Sequence, residues 1–317
     1  MRVLLAGATG CIGSAVLKEL VAREMDVVAL IRPGRVLSAD LIGAATVVES
    51  DVSSEVDWDA RIPPVDAVIS CLASRTGAPA DAQRVDFDAN RRLLERAERD
   101  RVRHFVLLSA ICVQKPRLAF QREKLRFEAL LGRTAIPATV VRPTAFFRSL
   151  IGQIERVKSG KPFLVFGDGG LTACKPISDR DLAVYVVDQL LQSHEGMVIK
   201  PIGGPGPALT PRDQAGLLAQ ALGLPLRVRS LPPAIFDWLR WLITPFGLFS
   251  RSMAERAELL RIAKFYATES MLHWDEREQR YDAENTPEFG SDTLADFYAQ
   301  VVAGEIAAPE RREQGLF

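Results

Sequence analysis

Three glycines near the start of the chain are spaced so that a backbone turn can approach a phosphate group. In the run GATGCIG, Gly7 allows a tight turn, Gly10 admits a pyrophosphate close to the backbone, and Gly13 lets the next helix pack near the preceding strand. Amide groups at the start of that helix carry partial positive charge and attract an anion. The pattern predicts a dinucleotide site. Its predicted cofactor contacts are Gly7, Thr9, Gly10, Cys11, Ile12 and Gly13.

A basic residue ends the apolar run that follows this turn and its helix. A site for NAD places a carboxylate there, about twenty residues after the glycines, to bind the 2′-hydroxyl of the ribose. This chain has Arg32 at that place, with Arg35 close by, whereas Asp26 lies before the run. Because a guanidinium suits a phosphate group, Arg32 predicts binding of the 2′-phosphate and favours NADPH as the cofactor.

Apolar runs and helical patterns continue to alternate beyond the glycine turn. This alternation predicts an α/β fold, a doubly wound parallel sheet (Rossmann fold) with a smaller C-terminal substrate lobe. The predicted strands are 3–6, 27–31, 46–48, 67–70, 105–108 and 138–141, and the predicted helices include 87–99 and 118–131. The predicted domains are an NADP-binding domain at 1–150, to which 172–202 returns, and a substrate lobe at 151–171 and 203–317.

Residues at the carboxyl ends of these strands are the candidates for ligand contact. In open parallel sheets the ligand binds beyond those ends, near the point where the strand order reverses. The sequence therefore predicts contacts to the adenine, the ribose and the nicotinamide along this edge. The strand-end residues predicted to contact the cofactor are Asp51, Val52, Cys71, Ala73, Pro143 and Phe146.

Composition excludes several classes of function. Forty basic residues balance forty acidic ones, so no global field draws the protein to nucleic acid or an anionic surface. The four cysteines lack metal-ligand spacing, and we predict no metal site and no disulfide. The first apolar run is too short for a signal peptide, which predicts a cytoplasmic protein.

Ser109 at a strand end and Lys124 on the following helix complete a recognisable pattern. Together with GATGCIG and Arg32 they resemble the atypical short-chain dehydrogenase/reductase family. The resemblance implies a catalytic unit in which a tyrosine lies four residues before the lysine, on the same helix face. This chain has Phe120 there, and a phenyl ring can neither donate nor accept a proton. The predicted catalytic residues are Ser109, Phe120 and Lys124, and Lys124 is also predicted to bind the cofactor ribose.

Three further stretches narrow the resemblance and extend it over nearly the whole chain. Residues 74–79, 108–131 and 265–299 are similar to members of that family that use NADPH to reduce the 8-vinyl group of divinyl (proto)chlorophyllide to ethyl. The resemblance implies a magnesium tetrapyrrole as substrate, in the synthesis of chlorophyll or bacteriochlorophyll. Hydride addition to a conjugated vinyl group spreads charge into the macrocycle, so this reaction does not require the missing phenol.

An aromatic segment at 231–249 predicts the substrate side of the protein. It carries Asp237 and Arg240 and is expected to break at Pro245 and Gly247, so it does not predict a spanning helix. Three interpretations of this segment remain open. It contacts the surface of a photosynthetic membrane, it forms the wall of an apolar pocket, or it is a buried helix. The predicted substrate contacts are Phe147, Trp238, Trp241 and Phe246.

Two other functions remain open at this stage. One is a non-catalytic NADP(H)-binding sensor or assembly factor, because some family members without the tyrosine bind cofactor without turnover. The other is an NADPH-dependent alkene or ether reductase that acts on a smaller aromatic substrate. The sequence leaves the preferred tetrapyrrole, the proton donor and the oligomeric state undetermined.

Overall fold

The computed structural model describes residues 1–54, 56–247 and 251–306, apart from the side chains of 242–247 and 251–254. The strands are β1 (Arg2–Ala6), β2 (Asp26–Ile31), β3 (Thr46–Glu49), β4 (Ala67–Ser70), β5 (His104–Leu108), β6 (Ala138–Pro143), β7 (Phe163–Phe166), β8 (Met197–Ile202), β9 (Val228–Leu231), β10 (His273–Asp275) and β11 (Arg280–Asp282). The helices are α1 (Cys11–Ala22), α2 (Pro79–Ala82), α3 (Asn90–Asp100), α4 (Ala119–Leu131), α5 (Ile154–Lys158), α6 (Asp179–Leu191), α7 (Pro211–Leu222), α8 (Ile235–Gly247), α9 (Arg251–Thr268) and α10 (Leu294–Ala303). A π-helical segment, Gln83–Ala89, joins α2 to α3, and short 3₁₀ turns lie at Ala39–Leu41, Ile111–Gln114 and Phe147–Leu150.

Seven strands form one sheet in the order β3-β2-β1-β4-β5-β6-β8. The pairs β1–β2, β2–β3, β1–β4, β4–β5 and β5–β6 are all parallel. The chain proceeds outward from β1 to β3 on one side and from β4 to β6 on the other, so the strand order reverses between β1 and β4. The prediction of a doubly wound parallel sheet is confirmed, and its ligand crevice belongs at the carboxyl ends of these two strands.

The chain divides into two compact units. Unit 1 comprises Met1–Arg75, Pro79–Pro143 and Asp179–Lys200, and unit 2 comprises Thr76–Ala78, Thr144–Ser178 and the described residues from Pro201 onward. The sequence prediction placed the first boundary at 150 and the returning segment at 172–202. It contained no counterpart to the short excursion at Thr76–Ala78.

The central strands of unit 1 are buried on both faces, which explains their uninterrupted apolar sequences. Leu4, Val68 and Phe105 are fully buried in β1, β4 and β5. One helical layer closes over this core through Leu93 of α3 and Phe127 of α4. The apolar residues of the helices thus fix which of their polar side chains reach the edge of the sheet.

Unit 2 has its own core and two small sheets. Strands β7 and β9 pair in parallel, and β10 and β11 pair antiparallel. Phe147, Leu218 and Tyr298 are buried together, and the hydroxyl of Tyr298 donates to the carbonyl of Leu150 at 3.0 Å.

Helix α8 continues through a proline at which the sequence predicted a break. It runs from Ile235 to Gly247 and packs along α9, so the prediction of a break at Pro245 is wrong. Proline removes one backbone hydrogen bond, and the packing of two long helices outweighs that loss. Among the helices that the structure describes, none combines the length and apolar character required to cross a membrane.

Candidate active site

The glycine turn follows β1 and passes beside the chain that leaves β4. Gly7 has φ +86°, and a Cβ atom there would lie 2.8 Å from the carbonyl oxygen of Cys71. A Cβ on Gly13 would lie 2.0 Å from the carbonyl oxygen of Gly7. A Cβ on Gly10 would approach only that same oxygen, at 3.3 Å. Gly7 and Gly13 are therefore required by the turn itself, while Gly10 leaves open the side that a ligand would occupy.

Helix α1 starts directly after this turn without a side-chain cap. Gly10 is its N-cap residue and has no side chain with which to cap the first turn. Cys11 is exposed, and its thiol donates to the Oδ2 atom of Asp179 at 3.1 Å. Thr9 is half-buried and Ile12 is buried. The uncapped helix end and the glycine cradle fit the pyrophosphate of a dinucleotide.

Two exposed arginines follow β2. Arg32 comes directly after the strand, and a turn in which the amide of Arg35 donates to the carbonyl of Arg32 at 3.0 Å brings Arg35 back toward it. Within the described residues neither guanidinium group has a hydrogen bond or an ion pair. Both cations are thus available to a phosphate group.

The strand-end residues differ in what they can offer a cofactor. Val52 is buried in the core of unit 1, and the Oδ1 atom of Asp51 accepts from the amide and the hydroxyl of Ser53 at 3.0 and 2.6 Å. Burial acts to raise the pKa of Asp51, but the bonds from Ser53 outweigh it and lower the pKa. Ala73 is exposed, whereas burial raises the pKa of the Cys71 thiol to about 12. Cys71 therefore stays protonated and uncharged.

Ser109 lies in a buried network at the end of β5. Its hydroxyl donates to the Oε1 atom of Glu128 at 2.5 Å, and the guanidinium of Arg142 pairs with the Oε2 atom of the same carboxylate. Ser109 and Glu128 are almost completely buried. The hydrogen of the Ser109 hydroxyl is therefore committed to Glu128.

Lys124 lies one helical turn before Glu128 on α4, and its partner is an acid. Its Nζ atom lies 3.0 Å from the Oδ1 atom of Asp86, and the side chains are 9% and 0% exposed. Phe120, one turn earlier on the same helix, is half-buried. The site thus contains a buried lysine–aspartate ion pair and a phenyl ring at the place of a tyrosine.

Sequence reasoning missed both acidic partners. Glu128 follows Lys124 by four residues, and that spacing alone would have placed it on the same helix face. Asp86 lies in the π-helical segment, where the usual helical spacing does not hold, and only the fold brings it to Lys124.

The remaining predicted contacts have the following positions. Pro143 ends β6 and is buried, and Phe146 is half-buried and bridges to Ile177 in unit 2. The ring of Phe147 is committed to the core of unit 2, 5.4 Å from that of Phe297. Trp238 and Trp241 are 74% and 76% exposed on α8, and the side chain of Phe246 lies outside the described residues.

A parallel sheet with a glycine cradle at its switch point and a buried lysine on the adjacent helix defines a nicotinamide-dinucleotide protein of the short-chain dehydrogenase/reductase type. A family model described as NAD(P)H-binding matches residues 7–193. The divinyl chlorophyllide a 8-vinyl-reductase of Cucumis sativus, whose name places it in the chloroplast, is 42% identical over 100% of this chain and 80% of its own length. The chain belongs to the divinyl chlorophyllide a 8-vinyl-reductase family.

Two more distant similarities set this assignment in context. The photosystem II assembly factor Ycf39 of a Synechocystis strain is 25% identical over 48% of this chain and 47% of its own length. A nucleoside-diphosphate-sugar epimerase structure from Staphylococcus aureus covers 94% of this chain and 100% of its own with a TM-score of 0.66. Its sequence identity is 15%, so this likeness concerns the fold alone.

Proposed function

We propose that this protein uses NADPH to reduce the 8-vinyl group of divinyl (proto)chlorophyllide, a magnesium tetrapyrrole, to an ethyl group. The observation that carries the proposal is that similarity to a reductase of this name extends over the whole chain, unit 2 included. Similarity to the assembly factor is weaker, at 25% identity, and covers 48% to 76% of this chain in two of its relatives. An enzyme is therefore favoured over a non-catalytic sensor.

The polar groups of unit 1 suit the reduction of a carbon–carbon double bond. When bound, NADPH supplies a hydride, and Lys124 is the side chain that would bind its nicotinamide ribose. The positive charge of Lys124 favours negative charge that develops nearby during the reaction. Phe120 provides apolar surface and no proton, which disfavours chemistry at an alcohol or carbonyl oxygen.

We assign the preference for NADPH over NADH to the residues that follow β2. A carboxylate there would bind the 2′-hydroxyl of NADH and repel the 2′-phosphate of NADPH. The exposed guanidinium groups of Arg32 and Arg35 have the opposite preference, since each offers a planar set of donors to phosphate oxygens.

The two exposed tryptophans of α8 are assigned to the tetrapyrrole. Trp238 and Trp241 are three residues apart and share one face of the helix, where they offer flat apolar surface to a macrocycle. The competing proposal is that the protein is made in the cytoplasm and that these tryptophans contact the surface of a photosynthetic membrane.

Turnover tests the proposed reaction directly. Purified protein is incubated with NADPH and divinyl chlorophyllide, and we expect a blue shift of the Soret band, loss of NADPH and a product heavier by two hydrogens. Lys124→Met should abolish this signal, while Arg122→Met, on the exposed face of the same helix, should retain it. Tight NADPH binding without any turnover would instead identify a sensor.

A double variant separates the two uses of α8. Trp238→Ala/Trp241→Ala should raise the KM for the tetrapyrrole and leave the Kd for NADPH unchanged. Leu239→Ala, an exposed neighbour on the same helix, serves as the control. An unchanged KM together with lost flotation on vesicles containing anionic lipid would assign the tryptophans to the membrane instead.

A further inference from the structure

A fully buried carboxylate on the π-helical segment has an unusual set of partners. The Oδ1 atom of Asp86 receives the ammonium group of Lys124 at 3.0 Å and lies 3.4 Å from the amide of Ser74. Its Oδ2 atom has no hydrogen-bond partner among the described residues, although it is shielded from solvent. In the part of the chain that the structure describes, Lys124 is the cation that pairs with this carboxylate and offsets the cost of burying its charge.

The backbone around Asp86 is held in place by a second buried side chain. In the π-helical segment some carbonyl groups lose their regular helical donors. The Nδ2 atom of Asn90 donates to the carbonyls of Val85 and Asp86 at 3.3 and 3.0 Å. The Oδ1 atom of Asn90 accepts from the hydroxyl of Ser70, at the end of β4, at 2.5 Å. Asp86 is thus anchored to the sheet edge where the cofactor would bind.

Stability alone is a weak reason for such a pair. A buried ion pair contributes little net stability, because desolvation of both charges consumes the gain from their attraction. A lysine at a reaction site has a different need. Its ammonium group is a point charge on a long flexible stem, and a neighbouring group must fix its position.

We propose that Asp86 is a positioning residue, whose carboxylate holds the ammonium group of Lys124 in the orientation that serves the cofactor. One N–H of the ammonium is used by Asp86, which leaves two donors for hydroxyl groups of the nicotinamide ribose. Asp86 thereby supplies the fixed neighbour that Phe120, lacking a hydroxyl group, cannot provide. The assignment depends on the role of Lys124 given under the proposed function.

A double-variant cycle tests whether Asp86 acts through Lys124. The proteins are the wild type, Asp86→Asn, Lys124→Met and the double variant, with Asp88→Asn as a charge-matched control on the same segment. Each is assayed for kcat and KM with divinyl chlorophyllide, for the Kd of NADPH by fluorescence, and for its thermal midpoint. We expect Asp86→Asn to lower kcat by about 10²-fold, with the tetrapyrrole KM little changed, and to weaken NADPH. In the Lys124→Met background, where no turnover is expected, the same change should alter the Kd of NADPH by no more than about twofold.

Three outcomes would overturn the proposal. They are a kcat and an NADPH Kd of Asp86→Asn equal to those of the wild type, an equal loss of NADPH affinity from Asp86→Asn in the wild-type and Lys124→Met backgrounds, or losses that Asp88→Asn reproduces. If Asp86→Asn does not fold, Lys124→Met is compared with the double variant, in which neither charge remains. A difference in NADPH Kd between those two refutes the coupling. Absence of turnover in the wild type would refute the proposed function alone, because the cycle in NADPH binding still tests Asp86.

Discussion

A buried histidine, His104, and its half-buried neighbour His194 predict how the stability of unit 1 responds to acid. The Nε2 atom of His104 lies 2.9 Å from the Oγ1 atom of Thr139, which lies 2.9 Å from the Nε2 atom of His194. The two rings meet edge to face with centroids 4.8 Å apart. Burial, reinforced by the neighbouring His194, lowers the pKa of His104 from 6.5 to about 4. His104 is therefore neutral in the folded protein over a range in which it is charged in the unfolded chain.

This difference fixes both the sign and the size of the effect. Below pH 6.5 the unfolded chain binds a proton that folded His104 refuses, so the free energy of unfolding falls as the pH falls. Each pH unit between 6.5 and about 4 is worth about 1.4 kcal/mol, so the full loss approaches about 3 kcal/mol. Below about pH 4 both states are protonated and this contribution no longer changes.

The assay compares pH dependence between variants, because carboxylates also titrate in this range. Urea unfolding is measured from pH 7 to pH 4 for the wild type, for His104→Phe and for His273→Phe, a half-buried histidine of unit 2. We expect a shallower acid dependence in His104→Phe only. The chain has three histidines, so their ring signals can be assigned by substitution and titrated by NMR. Titration of His104 near pH 6.5, or equal slopes in all three proteins, would refute the argument.

Three further predictions follow from contacts in the two units. Gly13→Ala places a Cβ atom 2.0 Å from a backbone oxygen, so it should lower the free energy of unfolding in urea by about 1–3 kcal/mol and weaken the binding of NADPH. Its control is Gly216→Ala, where a Cβ would meet nothing within 4 Å and should raise the free energy of unfolding by about 0.5–1 kcal/mol. Arg32→Asp should weaken NADPH by about 10–100-fold and leave NADH nearly unaffected in fluorescence titrations; equal effects would contradict the cofactor assignment. Glu128→Gln leaves the charge of Arg142 without its partner and should lower the free energy of unfolding by about 3 kcal/mol; an unchanged urea midpoint would contradict this.

Much of the fold could be predicted from local sequence patterns, because the contacts that determine it are between residues close in sequence. The turn from β1 into α1 is specified by glycines that contact one another or an adjacent strand, and it could be predicted from spacing alone. The alternation of strands and helices likewise predicted the parallel sheet. The pairing of β7 with β9 was not predicted, since β7 is apolar but only four residues long, and β9 is equally short, mixes polar with apolar residues and has no buried residue.

Side-chain partners across the fold were beyond sequence reasoning. The core position of Phe147 depends on the distant Phe297, and nothing in its neighbourhood distinguishes a core ring from a ring that faces a ligand. Asp86 meets Lys124 only after the sheet has formed, through a π-helical segment whose spacing the sequence does not reveal. The predicted helix at 87–99 started within that segment, and the regular helix begins at Asn90.

The hydrogen-bond network around Ser109 narrows the chemistry further than the loss of a tyrosine alone. Stabilisation of a carbonyl oxygen requires donors aimed at it, and a serine and a tyrosine could serve as such donors. Here Phe120 has no hydroxyl group, and the hydroxyl of Ser109 donates to Glu128, whose carboxylate also pairs with Arg142. Ser109 can then offer only its lone pairs to a ligand. Lys124 remains as the charged donor, which suits a reaction whose developing charge spreads over a conjugated ring system and does not concentrate on one oxygen.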